Sequence, residues 1–301
     1  MHAITRQQLI GLVLITLVWG LNWPVMKMGV TDFPPLTFRM LSMWLGLPVM
    51  ALGLLVTRAP FRIPRAHWRE LFILAVFNMF IWHALIIVAI KSLSSGRAAI
   101  LGYSMPIFSA VLGAFLFNNR LSSRAWGGVA AAALAVLLLL WHEFTQLAGH
   151  PLGVLYALIS ALAWAMGVHL MRRTKLTVPT LTISFWMTVM TALVMTVLST
   201  VFERAQWKLP NTATWGAIGY NALLIFGLVQ TLWLSLARYL TPVASTLSGM
   251  MIPILGVFSG AWWLGEVLHW QDWTAVLLIV LAIGSVLLPA RATPAELSNT
   301  A

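Results

Sequence analysis

The sequence predicts an all-α integral membrane protein, with ten transmembrane helices forming two inverted five-helix repeats. Three observations carry that prediction. Of 301 residues, 60% are hydrophobic and only 8% charged, too few charges for a surface that must face water. Ten apolar runs reach the roughly 20 residues that a helix needs to cross about 30 Å of hydrocarbon. The second half of the chain then repeats residues of the first at a nearly constant spacing.

The runs cover 8–28, 36–57, 69–90, 95–117, 123–141, 151–172, 179–202, 213–236, 243–264 and 271–289. The connections carry turn residues, as in Phe33-Pro34-Pro35 and Leu209-Pro210-Asn211, and none is long enough to be a soluble domain. Arg6 followed by an apolar run imitates a secretory signal. The run is long and no small-x-small cleavage site follows, so it reads as a retained span. The chain has no cysteine, hence no disulfide framework and no thiolate metal site.

An even number of spans puts both termini on one side. That side receives Arg6, Arg58, Arg62, Arg65, Arg69, Arg120, Arg124, Arg172, Arg173, Lys175, Arg238 and Arg291. The other receives Lys27, Lys91, Arg97, Arg204 and Lys208, together with five of the seven acids, while Arg39 falls within a span. The excess of Lys and Arg places both termini in the cytoplasm. Basic residues scattered between apolar runs do not make a nucleic-acid patch, so no nucleic-acid partner is expected. Trp68, Trp126, Trp141, Trp207, Trp215, Trp270 and Trp273 lie near span ends and read as interfacial belts.

Residues 93–129 align without gaps to 240–276, matching Gly102 to Gly249, Pro106 to Pro253, Ile107 to Ile254, Gly113 to Gly260, Leu121 to Leu268 and Trp126 to Trp273. Trp68 pairs with Trp215 and Lys91 with Arg238 at the same offset, and Trp19 pairs with Trp164 two residues short of it. Residues 1–145 and 146–301 are therefore the expected repeats. Five spans per repeat is odd, so the second enters the membrane upside down. Inverted repeats are a common build of secondary transporters, though duplication can also merely enlarge a bundle.

The stretch "VWGLNWPVMKMG" near the start resembles the opening of EamA-type drug/metabolite transporters. So do "ILGYSMPIFSAVLGAFLFNN" and "LSGMMIPILGVFSGAWWLGEVL", the latter ending in Gly-Glu-x-Leu at 265–268. The resemblance spans both halves, and the Trp-rich chain looks like the YddG-type exporters of aromatic and other neutral amino acids. It implies ten helices, cytoplasmic termini, a bacterial inner membrane and export of small metabolites, not enzymatic catalysis. One departure is Asn118-Asn119-Arg120-Leu121, where the family often carries Gly-Glu-x-Leu.

Polar groups at membrane depth are costly and mark helix contacts or wet cavities. Trp19, Asn22, Trp23 and Met26 follow the i, i+3, i+4, i+7 pattern of one helix face. Asn22 either joins two helices or faces a cavity. Proline lacks an N–H, so Pro24, Pro106 and Pro253 would each free a carbonyl four residues back, at Gly20, Gly102 and Gly249. Those bare carbonyls could receive an ammonium, and the prolines could act as hinges. The competing reading is kinked-helix packing.

His83 lies mid-span and its repeat partner is Gln230. Asn78 is in the same span, but about 140° round an α-helix from His83, so the two should not reach one spot. Tyr103 follows Gly102, and Trp164 is joined along its span by His169. The expected substrate-binding set is Trp19, Asn22, Asn78, His83, Tyr103, Trp164, His169 and Gln230. Such a pocket suits an amino acid with a large side chain, because indole and phenol faces accept apolar rings and attract ammonium. Phosphorylated substrates would want clustered cations, and only Arg39 is deep.

No cofactor and no metal are expected. Haem held by His83 and His169 is the alternative from another class. No phosphate-binding loop is present, so ATP cannot power the protein directly. Gly256-x-x-x-Gly260, matched by Ser109-x-x-x-Gly113, permits close helix contact. It joins helices within one chain, giving a monomer, or pairs two chains as a dimer, and the first is expected.

Overall fold

A computed structural model of the chain describes residues 5–117, 121–145, 150–229, 232 and 242–287. The regular structure of these residues is helical, with no strand among them. Helix α1, Arg6–Val30, starts on a capping box in which Thr5 Oγ1 accepts from Gln8 N–H and Gln8 Oε1 accepts from Thr5 N–H. It runs unbroken through Pro24. Helix α2, Pro35–Val56, has proline in its first turn, where the missing N–H is harmless.

The third apolar run is not one uniform helix. A 3-10 turn at Arg65–His67 leads into α3, Trp68–Ala75. A π-helical turn at Val76–Phe80 follows, then α4, Ile81–Ser92. The fourth run is broken as well: α5, Ser95–Gly102, stops at Tyr103 and Ser104 before α6, Met105–Phe117. Pro106 thus sits in the first turn of α6, past a break, and does not kink a continuous helix.

Helices α7 (Ser123–Thr145), α8 (Pro151–Arg172) and α9 (Thr180–Glu203) come next. Helix α10, Thr212–Gly219, opens on an Asn211 cap and passes into a second π-helical segment, Tyr220–Val229. Helices α11 (Pro242–Leu264) and α12 (Trp270–Leu287) complete the described chain.

Among the described residues, seven helical stretches are long and apolar enough to cross a membrane: Arg6–Val30, Pro35–Val56, Arg65–Ser92, Ser95–Leu116, Pro151–Arg172, Thr180–Gln206 and Thr212–Val229. Three shorter apolar stretches are Ser123–Leu139, Ser248–Leu264 and Trp270–Ser285. Large apolar side chains such as Leu55, Phe115, Val201 and Leu281 are exposed, as on a surface that faces lipid tails. The protein is a multi-pass, all-helical membrane protein. Trp126, Trp141, Trp207, Trp215, Trp270 and Trp273 are exposed, in keeping with belts, whereas Trp68 packs edge-on against Trp186 at 5.2 Å.

Hydrogen bonds gather the helix ends into two groups. At one end, Lys27 Nζ donates to the carbonyls of Ile90, Lys91 and Leu93, and the Glu203 carboxylate accepts from the N–H groups of Leu36 and Thr37. We call this the α1–α2 end. At the other, Thr182 Oγ1 donates to Pro60 O, Trp186 Nε1 to Phe61 O, and Lys175 N–H to the Glu70 carboxylate. This is the α8–α9 end.

Between the ends, glycines let helices approach closely. A Cβ added at Gly20 would stand 2.6 Å from that of Leu255, and one at Gly256 2.7 Å from that of Ala99. Gly260 lies against Ser95 Oγ. Gly256 and Gly260 thus pack α11 on α5 within the chain.

Candidate functional site

One cavity of about 240 Å³ lies among α1, α2, the α3–α4 rod, the end of α5, α8, α9 and the second π segment. Helix α1 gives it Trp19, Asn22, Trp23 and Met26, the face expected from their 3.6-residue period. Trp82 and Trp164 stack tilted at 4.6 Å between centroids, and Trp23 meets Tyr103 edge-on at 6.3 Å. Near the α8–α9 end the wall includes Met171 and Thr180.

Asn78 and His83 both line this cavity, which corrects the expected 140° separation. The reason is the π turn between them. Its i→i+5 bonding stacks residues five apart on one face, and Asn78 and His83 are five apart. Gly167 makes the wider turn possible. A Cβ there would stand 2.7 Å from the Asn78 side chain and 2.9 Å from its backbone nitrogen. Gly167→Val should therefore cost about 1–3 kcal/mol through overpacking. Gly127→Val, where no atom lies within 4 Å of an added Cβ, should stay within about 0.5 kcal/mol of wild type. Equal thermal midpoints for the two variants would overturn this account of Gly167.

His169 is buried but does not line the cavity; its Nε2 lies 2.8 Å from Ser109 O and 3.1 Å from Ser109 Oγ. Five residues of regular α-helix separate it from Trp164 and turn it about 140° away, whereas Met171, seven residues on, returns to the cavity face. His83 and His169 consequently do not converge on one site. Gly20, Gly102 and Gly249 are also outside the cavity wall, as are Pro24, Pro106 and Pro253. Gly20 is packed on Leu255, and Gly102 on Trp23 and Trp82. Gln230 lies outside the described residues.

Arg39 is the charged wall residue that the expected set omitted. It is 1% exposed, and its guanidinium reaches inward from α2. Nη1 donates to Asn221 Oδ1 at 3.2 Å and Nη2 to Met26 Sδ at 2.8 Å. The charge sits 6.0 Å from the ring centroids of Phe38 and Phe226. His83 touches the same Phe226 ring at 5.5 Å. Among the described residues no carboxylate pairs with this arginine.

Buried polar atoms normally find partners. Among the described residues four buried side-chain atoms do not, and three of them belong to the cavity wall: Asn22 Oδ1, Arg39 Nε and His83 Nδ1. The site thus offers one acceptor, one cationic donor and one imidazole nitrogen beside indole and phenol faces. Such a set can hold a polar head beside a large apolar body. The signal for Arg39 was in the sequence, as the one cation inside a span. Trp82 and Phe226 carried no such mark, since each sits in an apolar run.

The EamA-like transporter family matches residues 7–141 and again 151–288. The uncharacterized transporter YoaV of Bacillus subtilis is 26% identical over 279 residues, covering 91% of this chain and 93% of that protein. The uncharacterized inner membrane transporter YedA of Escherichia coli K12 is 25% identical over 281 residues, covering 91% and 90%. A probable amino-acid metabolite efflux pump of Escherichia coli K12 is 26% identical over 283 residues, covering 90% and 91%. A solved crystal structure superposes with a TM-score of 0.67 at 21% identity, over 96% of this chain and all of the other, which shows a shared fold. With both halves of its sequence matched, the chain belongs to the EamA-like transporter family.

Proposed function

We propose that this protein exports neutral amino acids with aromatic or large apolar side chains across a bacterial inner membrane by alternating access at the central cavity. The observation that carries the reading is the cavity itself, where three unpartnered buried polar atoms stand beside four indoles and a phenol. The efflux-pump relative and the resemblance to YddG-type exporters favour amino acids, and the name of YedA favours the inner membrane.

The architecture we propose is ten spans in two inverted repeats, 1–145 and 146–301, acting as a monomer. The family match falls once in each half. The π turn at Val76–Phe80 recurs as Tyr220–Val229, at the repeat offset. Contacts exchange in the same way: α1 packs on α11 as α8 packs on α6, and α2 on the second π segment as α9 on the first. The cavity wall reaches Met171 and Thr180 at the α8–α9 end, where the excess of Lys and Arg lies. By the positive-inside rule this is the cytoplasmic end, so the state described is one that loads from the cytoplasm.

Efflux from liposomes tests the reading, with phenylalanine, leucine, glutamate and a cationic dye compared. Phenylalanine and leucine are expected to move and glutamate not. Trp19→Ala and Trp164→Ala should each lower kcat/KM for phenylalanine about 10-fold, the loss of one ring contact with the substrate, with thermal midpoints retained. Transport of the dye alone would overturn the amino-acid assignment, and unchanged kinetics in both variants would remove the two indoles from the site.

A further inference from the structure

Resting on that reading, we propose that the site recognises the carboxylate of its substrate and can dispense with the amino group, so that deaminated aromatic and large apolar monocarboxylic acids are substrates of the same cavity. The argument begins with charge. Arg39 is the single cation of the wall, and no Asp or Glu stands among the wall residues. A guanidinium cannot lose its proton in a protein. The cavity therefore holds a fixed positive charge with no protein carboxylate to answer it. Its partners are a neutral amide oxygen, a thioether and two ring faces, none of which cancels the charge.

The hydrogen-bonding atoms point the same way. Arg39 Nε carries a buried N–H with no acceptor, and His83 Nδ1 can hold a second proton donor nearby. Two donors beside a cation suit the two oxygens of a carboxylate. For the ammonium the fully buried atoms without a partner include one amide oxygen, Asn22 Oδ1, beside the ring faces. An ammonium has three N–H groups, and one amide oxygen serves one of them. A zwitterion thus satisfies the guanidinium but brings a second cation into a positive site. A monocarboxylate neutralises the site and brings no second cation. A primary amine without a carboxylate adds its charge to that of Arg39.

The test uses the purified full-length protein, with three phenyl compounds that differ only in the polar head: L-phenylalanine, 3-phenylpropanoate and 2-phenylethylamine. Binding is read from quenching of intrinsic tryptophan fluorescence and by calorimetry, and movement by counterflow in liposomes. The acid is expected to bind within about 3-fold of phenylalanine or tighter, and the amine at least about 30-fold more weakly. Arg39→Gln should weaken phenylalanine and phenylpropanoate alike, by about 100-fold, and leave the amine unchanged or improved; Arg39→Lys should restore part of the loss. If phenylalanine binds and moves but phenylpropanoate neither binds nor competes, the inference falls and the exporter reading stands. If a folded protein binds none of the three, both fall. Equal weakening of all three compounds by Arg39→Gln would assign Arg39 to the shape of the cavity and overturn its role toward the carboxylate.

Discussion

Arg39→Met is expected to abolish transport while leaving the protein as stable as wild type or more so. Burying a charge costs several kcal/mol after relaxation, and a single neutral partner with ring faces recovers only part of that. Methionine fills a similar length of the tunnel between Phe38 and Phe226 without a charge to desolvate. Against this gain stands Asn221, fully buried, whose Oδ1 loses the donor Nη1 at a cost of about 1–3 kcal/mol. The balance lies between no change and a gain of about 2 kcal/mol. For the substrate the sign is reversed. The charge-assisted hydrogen bond from Nε to its carboxylate, worth about 1.5–3 kcal/mol, is lost together with the attraction of the cation, so affinity should fall by about 100-fold or more. Thermal unfolding in detergent and efflux of phenylalanine from liposomes measure the two halves of the prediction. A variant that loses stability and activity together would make Arg39 a structural residue, and one that transports as well as wild type would take it out of the pathway.

The two expectations that rested on helix geometry alone separate what periodicity can and cannot show. On α1 the spacing of Trp19, Asn22, Trp23 and Met26 placed all four on one face, and all four line the cavity. The helix there is regular even through Pro24. On the third run the same arithmetic failed for Asn78 and His83. A π turn needs an extra residue per turn and a neighbour that yields room, and that neighbour is Gly167, nearly ninety residues away in sequence. A local pattern holds no trace of it. His169 shows the converse: five residues of regular α-helix set it about 140° from Trp164, a separation already legible in the sequence.

The glycine–proline pairs also divided by context. Gly-x-x-x-Pro at 20–24 sits in an unbroken helix, whereas at 102–106 the chain leaves the helix before the proline arrives. The glycines are accounted for by what presses on them, Leu255 on Gly20 and the indoles of Trp23 and Trp82 on Gly102. At these positions the sequence leaves both readings open, bare carbonyls or kinked-helix packing, because proline chemistry is local and helix packing is not.

Glu266→Gln should be strongly destabilising at the α1–α2 end. Gly265 ends α11 with φ +66°, a left-handed turn that glycine makes without penalty. It delivers Glu266 to the N-terminus of α5. There Oε1 accepts from Ser95 N–H at 2.6 Å, and Oε2 from Ser95 Oγ at 2.9 Å and Gly96 N–H at 3.3 Å. A carboxylate at this position satisfies donors that have no helical partner and answers the positive end of the helix dipole. Beside it Asp272 grips Arg97 at 2.7 and 3.2 Å and caps α12 through His269 N–H at 2.9 Å. A glutamine keeps the volume but turns an NH2 toward one of the donors. Losing at least one charge-assisted bond and the dipole term costs about 2–4 kcal/mol.

On the proposed ten-span reading the effect should reach beyond stability, because the residues that align with these in the other half of the sequence carry no matching acids. Asn119 and Ala125 stand where Glu266 and Asp272 would, and Pro242, Val243 and Ala244 where Ser95, Gly96 and Arg97 would. On that reading these bonds help to hold the α1–α2 end shut, and weakening them by about 2 kcal/mol should raise the population opened there about 30-fold. The chain has no cysteine, so a single Leu93→Cys, buried at that end, reports the opening through its rate of labelling by a membrane-impermeant maleimide. Faster labelling and a lower thermal midpoint in the Glu266→Gln background are the expected pair. A lower midpoint with unchanged labelling would leave Glu266 a helix cap and nothing more.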